Sequence, residues 1–339
     1  MKLFSAVERA LLGVAMSRPV TSLVGRRPVV IDGQTLAPDL QVLLGLQAIA
    51  RRRDEQVPIE KMRAMMRSES ALVGGDQPIG EVRDLLVAGH PARHYLPSRP
   101  GSTDPGPLLV FIHGGGFIEG DLDTHDAPCR MLAERSGVPV LALTYRLGPE
   151  HHFPAAHDDV DEAFRWVHDH AEELGVDPKR IAVGGDSAGG NLAASVALTA
   201  ARVGLPLAWQ LLIYPCTDLE RDTQSLRLFK TGFYLTQEFM DRAEGSHFVR
   251  KENLSDPRAS MIHAEIPSDL APAYLVTAGF DPLRDEGEAY GRRMVEAGVE
   301  VELQRHTGLI HGFFNMVGAV GSARAAVEEM ADRLRAAVG

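Results

Sequence analysis

The first 75 residues carry apolar side chains at helical spacing. Leu3, Val7 and Leu11 follow one another at intervals of four, which places them on one face of a helix. The pattern ends at the glycine-containing turn signal at 73–76. We therefore predict that residues 1–75 form an N-terminal helical segment, separate from a core that spans residues 76–339.

From about residue 80 the pattern changes to short runs of β-branched and aliphatic residues that alternate with longer amphipathic stretches. This alternation is typical of βαβ units and of a mostly parallel sheet. The predicted core strands are 108–112, 138–144, 180–184, 209–214, 273–277 and 299–306. The predicted helices are 124–136, 156–174, 187–203, 284–297 and 322–337.

Two further regions depart from the alternation. The apolar runs 81–87 and 92–96 lack a helix-length connection, so we predict an antiparallel hairpin at the sheet edge, which brings the sheet to eight strands. The segment 222–263 is rich in aromatic residues and has a helical pattern. We expect it to act as a second cap segment that covers the active face together with residues 1–75.

Composition and charge narrow the class of partner. The chain has 339 residues, 45% of them hydrophobic, and a net charge of −11, which would repel nucleic acids and anionic membrane surfaces. No apolar run approaches the roughly 18 residues of a membrane-spanning helix. Two cysteines are too few for a disulfide framework. We expect a cytoplasmic protein that acts on a small molecule.

The strongest motif is Gly-Asp-Ser-Ala-Gly at 185–189, which fits G-x-S-x-G and stands between a predicted strand and a predicted helix. In that context Ser187 is held on a tight turn with its hydroxyl above the sheet. The N-terminus of the following helix favours negative charge that develops nearby. Ser187 is therefore the candidate nucleophile.

A second motif, His-Gly-Gly-Gly-Phe at 113–117, follows the predicted strand 108–112 directly. Successive glycines leave backbone N–H groups unhindered, as the stabilisation of an oxyanion requires. A dinucleotide-binding loop is the competing interpretation. It fails because Glu119 stands where the third glycine of G-x-G-x-x-G is needed.

A serine nucleophile needs a base and a group that orients the base. The order Ser, then Asp or Glu, then His is that of an α/β-hydrolase, and Asp281 and His311 both follow predicted strands. A histidine, with an ordinary pKa of about 6.5, can accept and return a proton near neutrality. Asp285 and His306 remain the alternatives for the acid and the base.

A small acidic cluster resembles part of a metal loop. Asp121, Asp123 and His125 have suitable side chains, but no later glutamate completes the calcium spacing. Helix capping by Asp123 or Thr124 explains the cluster equally well. We therefore predict no metal site and no cofactor.

Taken together, the motifs resemble the hormone-sensitive-lipase-like family of α/β-hydrolase esterases, also called bacterial lipolytic family IV, in its GDSAG branch. The resemblance covers roughly residues 80–335. It rests on four ordered motifs, which are HGGGF at 113–117, GDSAGG at 185–190, DPL at 281–283 and HGF at 311–313. The stretches 123–125 and 145–156 also resemble the family pattern.

The resemblance implies an α/β-hydrolase fold with a helical cap and a serine carboxylesterase acting on short to medium acyl esters. Ser187 would be the nucleophile, His311 the general base and acid, and Asp281 the orienting carboxylate. The oxyanion hole would use the N–H groups of Gly115, Gly116 and Ala188, with Gly114 added if the loop register differs. Many family members are dimers, so a homodimer is also expected.

Other activities fit the same residues. An amidase, a lactonase or a carbamate hydrolase would use the same triad, and nothing in the sequence distinguishes the leaving groups. A non-catalytic small-molecule receptor on a hydrolase scaffold is a further alternative. Such a receptor can dispense with the base, whereas this chain has His311.

Overall fold

The structure is a computed structural model that describes residues 6–50, 57–101 and 105–339. Residues 1–5 and 51–56 of the predicted N-terminal helical segment, which include Leu3, lie outside the described residues.

The strands form one small hairpin and one large sheet. The hairpin consists of β1 (Val30–Ile31) and β2 (Gln34–Thr35). The large sheet consists of β3 (Glu81–Val87), β4 (His90–Leu96), β5 (Gly106–Ile112), β6 (Val140–Leu143), β7 (Val176–Asp186), β8 (Trp209–Ile213), β9 (Ala273–Phe280) and β10 (Val301–Ile310). Its order is β10-β9-β8-β7-β5-β6-β4-β3.

The sheet confirms the predicted fold class. The strands from β10 to β6 pair in parallel, whereas β4 pairs antiparallel with both β6 and β3. The predicted hairpin therefore lies at the sheet edge, and the described residues contain the expected mostly parallel, eight-stranded sheet.

The helices surround the sheet and precede it. They are α1 (Ala6–Ala15), α2 (Arg18–Val24), α3 (Pro38–Ala50), α4 (Ile59–Gly74), α5 (Asp126–Ser136), α6 (Ala155–Asp169), α7 (Ala188–Val203), α8 (Gln224–Phe229), α9 (Gln237–His247), α10 (Arg284–Glu296) and α11 (Gly321–Val338). Short 3-10 turns occur at Lys251–Ser255, Met261–His263 and Phe313–Met316. None of the described helices combines the length and the apolar character needed to cross a membrane.

Successive residues of the central strands pack alternately into two hydrophobic cores, one on each face of the sheet. In β5, Leu108 and Val110 pack with α6, α7 and α10 on one face, whereas Leu109 and Phe111 pack with α5 and α11 on the other. Because both faces are covered by helices, these strands are apolar at nearly every position. Polar side chains that could act on a ligand are therefore expected in the loops at the ends of the strands.

Several element ends differ from the predicted ones. Strand β10 extends to Ile310 instead of residue 306, because the strand pairs with β9 again at Phe280 after a register shift. Helix α6 ends at Asp169, five residues before the predicted end. Ala171 is nevertheless buried in a turn against the core, which explains why the apolar spacing continues beyond the helix.

The N-terminal segment is tied to the carboxyl edge of the sheet. Gln34 donates to the carbonyl oxygen of Gly279 at the end of β9. In α4, Arg63 donates to the carbonyl oxygens of Ile118 and Gly148 and pairs with Glu150. Helix α4 is thereby held against the loops that follow β5 and β6.

Candidate active site

Ser187 lies on the sharp turn between β7 and α7. Its φ of 55° and ψ of −118° place it in a strained region of backbone conformation. A Cβ at Gly185 would overlap the carbonyl oxygen of Gly189, and a Cβ at Gly189 would overlap that of Ile112. Backbone crowding therefore explains why small residues flank the serine, which stands at the N-terminus of α7.

The three candidate catalytic residues meet at the carboxyl edge of the sheet. His311 Nε2 lies 2.9 Å from Ser187 Oγ, and His311 Nδ1 lies 2.8 Å from Asp281 Oδ2. Asp281 is fully buried, and its Oδ1 accepts the N–H of Leu283 at 2.8 Å. The ring of Tyr214 packs 4.5 Å from that of His311. The carboxylate and the imidazole are thus held in one orientation.

The two alternatives lie elsewhere. Asp285 is on α10, where it accepts the N–H of Ser225 and pairs with Arg284. His306 is inside β10, with its ring 5.8 Å from that of Phe313, and burial lowers the pKa of its imidazole. Neither side chain joins the hydrogen-bond chain that leads to Ser187.

The glycine loop after β5 is folded back on itself. Gly115 has a φ of 120° and Gly116 a φ of 60°, conformations that side chains rarely tolerate. A Cβ at Gly115 would overlap the carbonyl oxygen of Glu119, whose own N–H donates back to the Gly115 carbonyl. Both glycines line the cavity that contains Ser187.

Gly114 differs from its neighbours. Its N–H donates to Asp186 Oδ1 at 2.8 Å and is therefore not available to a substrate oxygen. The sequence allowed Gly114 as an additional donor in the oxyanion hole, and this hydrogen bond shows that the prediction is wrong for Gly114. Gly115, Gly116 and Ala188 remain as its candidate donors.

A neutral histidine supports the same loop. His113 Nδ1 donates to the carbonyl oxygen of Gly114 at 2.8 Å, and the His113 ring stacks on Tyr145 at 4.4 Å. Tyr145 in turn donates its hydroxyl to the His113 carbonyl oxygen. Burial lowers the pKa of His113 to about 4, so the ring is uncharged near neutral pH.

The sequence did not reveal a second histidine–carboxylate pair beside the nucleophile. Asp186 Oδ1 lies 3.0 Å from His125 Nε2, and Asp186 Oδ2 accepts the hydroxyl of Tyr214 at 3.3 Å. Burial by itself raises the pKa of Asp186, but His125, the Gly114 N–H and His311 lower it below the usual value. The aspartate of the serine motif thus connects β7 to the glycine loop.

This pair also corrects the interpretation of the cluster at 121–125. Asp121 pairs with Arg67, and Asp123 lies 3.0 Å from Arg93. Helix α5 begins at Asp126 without a side-chain cap, so the capping hypothesis for Asp123 or Thr124 is wrong. Instead, Asp121 accepts backbone N–H groups within its own turn. In the part of the chain that is described, no group of three acidic, histidine or cysteine side chains could hold a metal ion.

Two cavities meet at Ser187. The larger, of about 200 Å³, is lined by the glycine loop, by α4 and by residues 234–239. The smaller, of about 50 Å³, is more apolar and lies between Ala188, Phe239 and Phe248. Ser187 lines both cavities.

Comparison with known proteins agrees with this geometry. A family model described as the α/β-hydrolase fold matches residues 109–315. The chain belongs to the hormone-sensitive-lipase-like family of α/β-hydrolases. The predicted family and fold are both confirmed.

Relatives of this α/β-hydrolase are found in bacteria and archaea. It is 44% identical to the carboxylic ester hydrolase LipN of Mycobacterium tuberculosis, over 91% of this chain and 85% of LipN. It is 36% identical to an ethyl acetate hydrolase of Pseudomonas putida, over 83% and 93% of the two chains. A solved structure, the hyperthermophilic esterase of the archaeon Pyrobaculum calidifontis, matches with a TM-score of 0.84 and 37% identity, over 89% of this chain and 98% of that one.

Proposed function

We propose that this α/β-hydrolase is a serine carboxylesterase that hydrolyses short to medium acyl esters. The proposal rests on the hydrogen-bond chain from Ser187 Oγ through His311 to buried Asp281, with distances of 2.9 and 2.8 Å. This arrangement supplies a nucleophile, a base and a group that orients the base. The names of its relatives, which include an ethyl acetate hydrolase and a carboxylic ester hydrolase, support ester chemistry.

In the first half of the reaction, Ser187 Oγ attacks the ester carbonyl carbon and its proton moves to His311 Nε2. The carbonyl oxygen becomes an oxyanion that accepts hydrogen bonds from the N–H groups of Gly115, Gly116 and Ala188. The bond to the alcohol oxygen then breaks, and His311 gives its proton to the departing alcohol. An acyl group remains on Ser187.

In the second half, a water molecule attacks the acyl carbon and transfers a proton to His311. The tetrahedral intermediate uses the same three N–H groups. When the carbon–Oγ bond breaks, His311 returns the proton to Ser187 and the carboxylic acid is released. Asp281 keeps His311 Nδ1 protonated, so that Nε2 remains the atom that exchanges protons.

We further propose that residues 1–75 and 222–263 form a two-part cap over the core. Met62, Met65 and Met66 of α4 line the larger cavity on one side, and Tyr234 and Phe239 line it on the other. Both proposed cap segments therefore contribute to the walls around the substrate. The small volumes of these cavities, about 200 and 50 Å³, support short to medium acyl chains.

The direct test replaces the nucleophile. The Ser187→Ala variant should lose turnover of p-nitrophenyl butyrate and should no longer react with a fluorophosphonate probe, while its circular dichroism spectrum stays unchanged. Turnover at the parent rate would overturn the proposal. A series of p-nitrophenyl esters of increasing acyl length tests the chain preference, and matched amides test the choice between ester and amide substrates.

A cytoplasmic homodimer is the proposed form of the enzyme. Cys129 and Cys216 are both free thiols buried in the core, which suits a reducing compartment. The dimer is proposed because the resembled family contains many dimers. Light scattering coupled to size exclusion should give about twice the chain mass of 36.8 kDa, and a monomer at micromolar concentration would contradict it.

A further inference from the structure

The larger cavity beside Ser187 has an unusual charge distribution. Glu119, at the end of the glycine loop, and Glu69, on α4, both line it. None of the described residues that line this cavity is a lysine or an arginine. Asp186 and His311 also line the cavity, and of these Asp186 pairs with His125 and His311 pairs with Asp281.

The carboxyl group of Glu119 is mostly shielded from water. Within the described residues, no group donates a hydrogen bond to it. It faces Glu69 and Arg63 on α4 and Arg242 on α9. Arg63 is already bound to Glu150 and to two carbonyl oxygens, and both Arg63 and Arg242 act on Glu119 through their charge without donating a hydrogen bond to it.

This position is costly for a carboxylate. Burial first, and the neighbouring Glu69 second, raise the pKa of Glu119, and Arg242 and Arg63 lower it only in part, so that it lies at about 7. A carboxylate that has lost water without gaining a hydrogen-bond donor is stabilised when a further cation binds beside it. The cavity is the place where such a cation would be located.

The rest of the wall suits the same chemistry. Met62, Met65 and Met66 present polarisable thioethers, and Tyr234 and Phe239 present aromatic rings. Aromatic faces attract alkylated ammonium groups, and methionine side chains adapt to bulky methyl groups. Methionine and aromatic side chains beside the Glu119 carboxylate therefore match an ammonium cation that carries alkyl groups.

We propose that Glu119 selects esters that carry a positively charged alkylammonium group in the half that occupies the larger cavity. The inference rests on the proposed esterase function and names a substrate class for it. The cation takes no part in bond making. It positions the ester carbonyl between Ser187 and the glycine loop.

The test compares charged esters with neutral esters of the same shape. One pair is acetylcholine and neohexyl acetate, which differ by a nitrogen cation in the alcohol half. The other pair is the p-nitrophenyl ester of γ-trimethylammonio-butanoic acid and its tert-butyl carbon analogue, which differ in the acyl half. At about pH 8, where Glu119 is ionised, we expect kcat/KM to favour the cation about tenfold in at least one pair.

The variants separate a local effect from the overall negative charge. Glu119→Gln should bring the ratio of charged to neutral ester close to one. Glu173→Gln removes the same charge from an exposed position on the surface and should leave the ratio at its parent value. If Glu119→Gln does not fold, Glu119→Leu removes the charge with an apolar side chain that suits the methionine wall.

Each outcome decides one hypothesis. A parent ratio below about three in both pairs, or a Glu119 variant that keeps the parent ratio, would overturn the inference. A loss of preference in Glu173→Gln would also overturn it, because the effect would then come from net charge. If the parent enzyme hydrolyses the neutral esters without preference, only this inference fails. If it hydrolyses none of the four, the proposed function fails as well.

Discussion

Two buried imidazole–carboxylate pairs flank the nucleophile at the carboxyl edge of the sheet. In one, His311 lies 2.8 Å from Asp281, and in the other, His125 lies 3.0 Å from Asp186. The two pairs have the same chemical groups and similar burial. They differ in what their remaining atoms contact.

The second nitrogen of each ring decides its role. His311 Nε2 reaches Ser187 Oγ at the cavity wall, so a proton can move between them. His125 Nδ1 instead contacts the hydroxyl of Thr124 at 2.8 Å, and its ring packs against Phe111 and Phe314. One pair is placed to exchange a proton with Ser187, and the other holds the glycine loop against β7.

The largest effect is expected when the reactive imidazole is removed. His311→Gln should lower kcat on p-nitrophenyl butyrate by about 10⁶-fold, because Ser187 would lose its base. Stopped-flow or endpoint assays over several enzyme concentrations measure it. His125→Gln is the matched control, and a comparable loss in that variant would contradict the assignment of different roles.

The second largest effect is expected when the carboxylate of the same pair, Asp281, is replaced. Asp281→Asn should lower kcat by about 10⁴-fold, because an amide beside His311 favours the wrong tautomer of the ring. Labelling by a fluorophosphonate should slow in parallel. If kcat fell by less than about tenfold, Asp281 would not be the orienting residue.

A smaller effect is expected from the aspartate of the other pair. Asp186→Asn should lower kcat by about 10- to 100-fold. In this variant the Gly114 N–H of the glycine loop loses its charged acceptor, although an amide oxygen remains in its place. KM should change less than kcat. A variant with parent kcat would show that Asp186 does not position the loop.

The same variant gives a prediction on stability. The pKa of Asp186 is lowered in the folded state, so its stabilising contribution is complete above the unfolded value of about 4 and is lost as the pH falls through the lower folded value. The difference in unfolding free energy between parent and Asp186→Asn should thus shrink below about pH 4. Urea unfolding at several pH values measures it, and a difference that is constant down to pH 2 would contradict the prediction.

The smallest effect is expected at the partner histidine. His125→Gln should reduce kcat by less than about tenfold and lower the free energy of unfolding by about 1–3 kcal/mol, because Asp186 keeps its other two donors. Thermal melting and kcat are measured on the same preparation. A catalytic loss larger than that of Asp186→Asn would reverse the proposed hierarchy.

Much of the architecture could be predicted from local patterns in the sequence. The strand that ends in Asp186, the turn at Ser187 and the helix beyond it were predicted together, because strand and helix periodicities and small turn residues are local properties. The edge hairpin was predicted from the absence of a helix-length connection. Element ends were less accurate, as at β10 and α6, because pairing and burial extend or shorten elements after local preferences are satisfied.

The candidate active site could be predicted from the sequence only in part. Asp281 and His311 were favoured over Asp285 and His306 from their positions after strands, and the structure brings the favoured pair to Ser187. The role of His125 was missed. Its signal is an Asp-Thr-His run in the resembled family pattern, for which the sequence offered only a fragment of a metal loop or a helix cap, because a one-dimensional spacing does not show which carboxylate a ring will meet.

The amino-acid sequence alone therefore determined the succession of strands and helices in the core from residue 81 on, the tight turn at Ser187 and the glycine loop, since these follow from neighbouring residues and backbone sterics. Only the tertiary structure decided that Gly114 donates to Asp186, 72 residues away, and that Glu119 faces the substrate cavity. Hydrogen bonds and charges act over a few ångströms in space. Which distant residues come within that range depends on how the sheet, the loops and α4 pack together.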